Sequence, residues 1–522
     1  MIMSEHIVVE NLQLNDRPRS GGKSHTLRLR RLGIDTYREA IIYMREDCHV
    51  CRSVGFEAQS RILVRHNSDN IITTLNVVKN DLLAPGEAGL SEAAWKLLNA
   101  EEGDSVELAH PPPLASLSKV SAKIYGKHLD AEDYKEIITD IAAGSYSDID
   151  LAAFITACAG DQLASDEIIS LTRAMIETNK LISWNGSTPI IDKHSIGELP
   201  GNRTSMIIVP IVAASGLTMP KIASRGITAP AGTADTMEVF APVNLSILEM
   251  RRVVELEGGC IVCGDALNLS PAEDILIRLV RALNINAKGQ LVASVISNKV
   301  TTGATHVVID IPVGTQENAH TFDAASSLGK LLSLVGRAVG LRVQTIFSDG
   351  TQPVGRGIGP GLEAKDVLAV LQNETNAPED LRERALNLAG QVIEMSGAVT
   401  EGQGRKIAAN ILDDGRAWQK FFDICEAQGG FREFTPAAFT KIIVAEKTGL
   451  VATIDNRKLS QIAKLAGAPR AKFAGLELFT SIGRNVEIGE PIYTIHAESR
   501  TELEYALEFV NNTSGPLNVE EN

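Results

Sequence analysis

The chain has 522 residues, with 50 lysines and arginines against 65 aspartates and glutamates, a formal net charge of −15. An acidic surface repels a phosphate backbone, which argues against a nucleic acid polymer as partner, and the length predicts several domains. No apolar run approaches the roughly 20 residues of a membrane span, and Met1-Ile-Met-Ser-Glu5 lacks the basic start and apolar core of a secretory signal, so a cytoplasmic protein with no membrane partner is expected.

Residues 1–24 are polar and read as a frayed end. Gly22-Lys23-Ser24 looks like the close of a phosphate-binding P-loop, but Arg17 stands where that motif requires a glycine. From His25 to Leu108 short alternating stretches predict strands over Thr26–Arg30, Arg61–Arg65 and Ile71–Val78. Ala84–Ser91 reads as a turn, Glu92–Leu98 as a short helix and Glu102–Leu108 as a turn and strand. Together they predict a β-rich, barrel-like domain over 1–110.

Pro111-Pro112-Pro113 marks a boundary. Helices are predicted over Leu117–Tyr125, Ala131–Ala143, Asp148–Cys158 and Ser165–Thr178. Apolar residues recur at helical spacing, and Asp130, Ser147 and Ser165 are cap candidates.

The next stretch, Asp192-Lys-His-Ser-Ile-Gly-Glu-Leu-Pro-Gly-Asn-Arg-Thr-Ser205, lies between an apolar entry, Pro189-Ile190-Ile191, and an apolar exit from Met206. A strand that ends in a glycine-bent loop and runs into a helix makes an anion cradle. The helix N-terminus offers free N–H groups, and Lys193 adds a full positive charge. A phosphate or phosphorylated-sugar site is expected there. Beyond it, strands alternate with helices through Pro220–Thr228, Gly258–Gly264, Thr305–Val313, a helix over Asp323–Val339 and a strand over Arg342–Phe347. That alternation predicts a mostly parallel sheet covered by helices. Gly355–Gly361 lacks dinucleotide-loop spacing and reads as a flexible loop before a helix over Glu363–Gln372. From about Phe431 the pattern is α+β, and Pro516–Asn522 reads as a loose acidic tail.

Cys48/Cys51 and Cys260/Cys263 have C-x-x-C spacing. The second pair sits in an apolar strand pattern, where residues three apart point to opposite faces. Reduced structural cysteines and no metal are expected.

Lys193-His-Ser-Ile-Gly197, Ser224-Arg-Gly-Ile-Thr228 and Gly232-Thr-Ala-Asp235 together resemble the thymidine/pyrimidine-nucleoside phosphorylase family, in the long branch that includes AMP phosphorylases. The resemblance runs from about Leu117 to His496. It implies a multidomain α/β protein. An α-helical domain would span 114–182 and 272–303, an α/β phosphate-binding domain 186–268 and 305–428, and a C-terminal α+β domain 430–522. It also implies a homodimer or larger homo-oligomer, and no cofactor beyond inorganic phosphate as co-substrate.

On the resemblance, Lys193, Ser195, Gly197, Thr204, Ser205 and Thr233 would hold phosphate, with Ser224 standing in for a family serine that falls on Ala223. Arg225, Gly226, Ile227, Thr228, Ser294 and Asn318 would contact the substrate. His194, Arg281, Lys299 and Asn286 would face the base and its developing charge. Ser294 and Asn298 are one helical turn apart and share a face. Three positions depart from the AMP-phosphorylase pattern. Asn286 stands where a proton-donating aspartate is expected, Asn318 where a lysine is, and Glu198 where a glycine is. Loss of the acid favours a pyrimidine nucleoside, whose base can leave as a delocalised anion. The expected reaction is thymidine plus phosphate to thymine plus 2-deoxy-α-D-ribose 1-phosphate. The alternatives are an AMP phosphorylase, a magnesium-dependent phosphoribosyltransferase of the anthranilate type, and a catalytically silent nucleotide-binding scaffold.

Overall fold

A computed structural model describes residues 26–36, 39–185, 189–226, 229–283, 285, 287–433 and 436–521. Gly22-Lys23-Ser24 lies outside the described residues. The chain divides into a first unit over 1–115 with 144–147 and a second over 116–143 with 148–522.

The first unit is built on β1 (Thr26–Arg31), β2 (Ile41–Arg45), β3 (Arg61–His66), β4 (Asp69–Val78), β5 (Glu87–Leu90) and β6 (Ser105–Ala109). They close into a barrel in the order β1-β5-β2-β4-β3-β6. Alternate side chains of β1 and β3 point inward and join Ile42, Leu75, Leu90 and Trp95 in one core. Two of these strands differ from the sequence expectation. The segment read as a turn contains β5, which pairs with both β1 and β2. Its Gly89 lies so close to Leu32 that an added Cβ would sit 2.4 Å from a Leu32 methyl. β2 was not expected because its burial barely alternates, so the period-2 signal is lost.

In the second unit, helices Ser116–Ile124, Ala131–Ala142, Asp148–Ala157 and Ser165–Thr178 form a bundle joined by Pro271–Leu283 and Lys288–Thr301. Asp130 caps its helix through a reciprocal bond with Asp133. The last of the four is entered from Ala164, not from a Ser165 cap. Glu167 reaches back to the Ala164 N–H instead. The same carboxylate takes a buried ion pair from Lys123 at 2.7 Å and the Tyr134 hydroxyl at 3.0 Å.

The site rests on a parallel sheet. β7 (Ile191–Ser195) and β11 (Arg342–Asp349) flank β10 (His306–Val313), all parallel. β8 (Met219–Ala223) pairs in parallel with β9 (Gly259–Cys263), and an Ile190–Thr218 bridge brings β8 beside β7. Helix Ser205–Ala214, buried from Ser205 through Ala213, is covered on one side by β8 and β9 and on the other by helices Glu379–Met395 and Arg416–Ala427. Cys260 and Cys263 are both buried thiols in β9, and burial pushes Cys260 up to about 12.

The C-terminal part carries β12 (Gly357–Ile358), β13 (Phe439–Val444), β14 (Gly449–Ile454), β15 (Gly475–Leu478), β16 (Asn485–Val486), β17 (Pro491–Ala497) and β18 (Leu517–Glu520). They form two sheets, β12-β15-β17-β13 and β16-β14-β18. Two expectations change here. Gly355–Gly361 is not a flexible loop: it contains β12, paired with β15. Its glycines allow backbones to touch, since a Cβ on Gly359 would lie 2.3 Å from the Ala474 carbonyl oxygen. The tail is not loose either, because β18 pairs with β14. Among the described residues no helix is long and apolar enough to cross a membrane.

Candidate functional site

β7 delivers four consecutive polar side chains to the sheet's C-terminal edge, which the sequence places in one run, Asp192-Lys-His-Ser195. Lys193 is 1% exposed. Its ammonium donates to Thr204 Oγ1 at 2.8 Å, and among the described residues it pairs with no carboxylate. Burial, opposed by Asp310 and aided by Lys221, lowers this amine to about 7. Among the described residues this ammonium has no carboxylate in ion-pair contact, Asp310 acting only through its field, and it sits at the start of helix Ser205–Ala214, whose first turn adds partial positive charge.

The neighbouring carboxylate, Asp192, was not singled out from sequence. It is 2% exposed and receives Lys299 Nζ at 2.7 Å, Lys221 Nζ at 3.1 Å and the Lys193 N–H at 2.7 Å. Burial pushes this carboxyl up, but Lys221 and Lys299 outweigh it and hold it at about 2. Lys221 also donates to the Lys193 carbonyl. Lys299 is therefore engaged by Asp192 in this state, and acts on His194 through its field. His194 is half-buried, and burial with Lys299 and Lys221 close by holds its imidazole well below its usual range. It is neutral at pH 7, with one ring nitrogen free to accept.

Ser195 donates to Asp310 Oδ2 at 2.7 Å and accepts from Asn202 Nδ2 at 3.0 Å. Asp310, fully buried on β10, takes a second hydroxyl from Ser348 on β11. Three strands thus lock one serine. The loop between needs its glycines. Gly197 has φ +103° and lies against the Glu317 carboxyl, and Gly201 has φ +73° with the Val354 carbonyl over its Cα. Glu317 is 7% exposed. Burial, with Glu198 and Asp310 nearby and Arg384 opposing, raises it to about 7. Glu198 itself is exposed.

Arg203 ties this loop to the next. Its guanidinium pairs with the buried Glu363 and donates to the Ala231 carbonyl. Ser224 lies exposed after β8, and Thr233 opens helix Thr233–Phe240. Asp235 organises the loop between them, accepting from Gly226 N at 2.6 Å, Gly232 N at 2.9 Å and Arg225 Nη1 at 3.1 Å. Arg225 also pairs with Glu238 at 2.9 Å, so its charge is already satisfied by two carboxylates. Gly226 and Gly232 touch backbone to backbone. Ile227, Thr228 and Asn286 lie outside the described residues, as does the side chain of Arg281. Asn318 is exposed beside Glu317.

The structure thus brings Lys193, Ser195, Thr204 and Ser205 to one loop and links it through Arg203 to the Ser224–Thr233 loop. It sets Ser294 apart on helix Lys288–Thr301, bonded to Glu273. Sequence reasoning passed over Asp192, Arg203, Lys221, Glu273, Asp310, Glu317 and Glu363. Only Asp192 and Arg203 lay inside the stretch already read as a cradle. A cavity of about 490 Å³ lies elsewhere, between Asp161, Lys288, Asp323 and Lys330. It shares no residue with this constellation.

Three family descriptions match the chain: "Glycosyl transferase family, helical bundle domain" over 120–178, "Glycosyl transferase family, a/b domain" over 187–418, and "Pyrimidine nucleoside phosphorylase C-terminal domain" over 450–516. Among curated proteins, a "Putative thymidine phosphorylase" of Polaromonas sp. is 54% identical over 97% of this chain and 99% of its own. One of the same name from Legionella pneumophila is 56% identical over 96% of each chain. A solved anthranilate phosphoribosyltransferase from Thermus thermophilus is 17% identical, with a TM-score of 0.48 over 59% of this chain and 98% of its own. With relatives this similar along nearly the whole length, the chain belongs to the thymidine/pyrimidine-nucleoside phosphorylase family.

Proposed function

We propose that the protein is a thymidine phosphorylase, converting thymidine and inorganic phosphate to thymine and 2-deoxy-α-D-ribose 1-phosphate. The observation that carries this is Lys193, a buried ammonium with a hydroxyl partner and, among the described residues, no carboxylate in ion-pair contact, at the mouth of a helix N-terminus. Phosphate is the missing anion. One lysine and several neutral donors hold it without quenching its oxygens as nucleophiles.

Phosphate attacks C1′ from the face opposite the base, and the bond to the base stretches with oxocarbenium character. Lys193, Thr204, Ser205 and Thr233 orient the attacking anion, and Ser195, its proton given to Asp310, holds the loop in place. Neutral His194, with Lys299 close by, meets charge developing on the leaving base. Most of the acceleration is positioning and fixed electrostatics. Glu198, exposed at the loop, would disfavour a second phosphate brought near it, which supports a nucleoside over AMP. The test is release of free base from thymidine, uridine, AMP and CMP, with and without phosphate. Thymine released only when phosphate is present supports the proposal. No turnover of any of the four at saturating phosphate refutes it.

A further inference from the structure

Glu363 lies in the first turn of helix Pro360–Leu371, which packs on helix Thr233–Phe240. It is 1% exposed. The Arg203 guanidinium pairs with its carboxylate through Nε and Nη2, and Thr236 Oγ1 donates to Oε2 at 2.9 Å. The same guanidinium also reaches the main chain. Its Nη1 donates to the Asn202 carbonyl at 3.3 Å and its Nη2 to the Ala231 carbonyl. Arg203 immediately precedes Thr204 and Ser205, and Ala231 stands two residues before Thr233. One buried ion pair thus joins the two loops that the proposed function sets around phosphate.

A guanidinium is a planar fork, so its bonds fix orientation as well as distance. Asn202 carries that constraint onward. Its amide nitrogen donates to Ser195 Oγ at 3.0 Å, and its side-chain oxygen accepts at 3.4 Å from Thr204 Oγ1, the hydroxyl that meets Lys193. The second loop has little slack to absorb a shift, since a Cβ on Gly232 would lie 2.4 Å from the Gly226 nitrogen. Helix Pro360–Leu371 starts from β12, which pairs with β15, and its Gly361 N–H donates to the Lys472 carbonyl at 2.7 Å. The carboxylate is therefore anchored outside both loops. Unlike Lys193, Arg203 has its charge met by a carboxylate.

We propose that Glu363 is a positioning residue for phosphate: through Arg203 it sets the separation of the Thr204–Ser205 hydroxyls from Thr233, and so the affinity for orthophosphate, without touching the anion. The inference rests on the phosphorylase reading. A misplacement of about 1 Å in a binding group is worth up to about a hundredfold. Because the pair acts on the phosphate loops, its loss should raise KM for phosphate and leave KM for thymidine in place.

Three variants of the full-length protein separate position from stability. Glu363→Gln keeps the shape of the side chain and weakens its hold on Arg203. We expect the Kd for inorganic phosphate, measured by calorimetry, to rise about ten- to a hundredfold. KM for phosphate should rise alike, with KM for thymidine unchanged. Arg203→Lys keeps the charge but not the fork, and should lie between Glu363→Gln and the unmodified protein. Arg203→Met combined with Glu363→Met leaves no buried ion unpaired, so its Tm should hold level or rise while its phosphate Kd stays as weak as in Glu363→Gln. An unchanged phosphate Kd in the double variant overturns the inference, as do equal increases in both KM values. A double variant that loses Tm along with phosphate affinity overturns it too, for the pair then only holds the fold together. Tighter phosphate in Glu363→Gln makes Arg203 a ligand and has the same consequence. Absence of turnover by an unmodified protein that still binds phosphate would overturn the phosphorylase reading alone, and the phosphate Kd values would still decide the role of Glu363. An unmodified protein that binds no phosphate would overturn both.

Discussion

Phosphate should bind this protein with a steep dependence on pH, and the slope can be worked from two side chains. Lys193 loses its proton at about 7 because burial disfavours the ammonium. A lysine of this kind is about one-tenth charged one pH unit above that value and about one-hundredth charged two units above. A dianion that needs the ammonium must therefore recruit a proton as it binds. Its Kd should rise about tenfold per pH unit, or about 1.4 kcal/mol each. Glu317, against Gly197 in the same loop, also titrates at about 7. Above that value it becomes an anion beside the phosphate, which adds to the slope in the same direction. The slope of log Kd against pH should thus exceed one above about pH 8.5, where phosphate itself is almost wholly dianionic. Glu317→Gln should bring it back toward one. Calorimetric titrations in buffers of different ionisation enthalpy count the protons taken up. A phosphate Kd that stays level from about pH 7 to pH 9, with no proton uptake, would refute the assignment of Lys193 as the anion's partner.

Asp192→Asn leaves two buried lysines without their shared carboxylate, and should lower the unfolding free energy by about 3–5 kcal/mol in urea titrations. A loss below about 1 kcal/mol would contradict the role given to that carboxylate. In the native protein Asp192 is held at about 2, below its unfolded value. Its contribution is therefore present above about pH 4 and drains away as pH falls toward 2, visible as a steeper acid limb than Asp192→Asn shows. Gly201→Ala forces a side chain into positive φ with its Cβ 2.0 Å from the Val354 carbonyl oxygen. It should cost about 1–3 kcal/mol in thermal unfolding and weaken phosphate binding in parallel. Unchanged values of both would show that the loop is not held as described.

Where the sequence was legible, a local signal and the tertiary environment agreed. Helix Ser165–Thr178 follows its apolar spacing from end to end, and Asp130 caps as its position predicts. Lys193 and Ser195 could be read as the end of a strand because apolar residues lead in and glycines lead out. What could not be read depends on long-range pairing. Ser195 meets Asp310 across 115 positions, and Arg203 meets Glu363 across 160. Asp310 interrupts an apolar strand run, but nothing near it in the chain names Ser195 as its partner, and nothing near Glu363 names Arg203. Glu317 becomes special because Gly197 and Gly350 both yield space to it, a fact of the fold and not of any motif. Strands β2 and β5 escaped for the opposite reason: they are short and buried on both faces, so the alternation that marks a half-exposed strand never appears.

The two-residue strand β12 sits directly ahead of helix Pro360–Leu371, yet Ile358 is packed in the core of the C-terminal sheets. That piece is therefore stitched into the polypeptide that precedes it. Residues from about 430 onward, expressed alone, would leave β15 without this neighbour and expose a raw sheet edge, an invitation to intermolecular pairing. The C-terminal region is best regarded as a dependent lobe, unsuited to being swapped between relatives as an autonomous cassette.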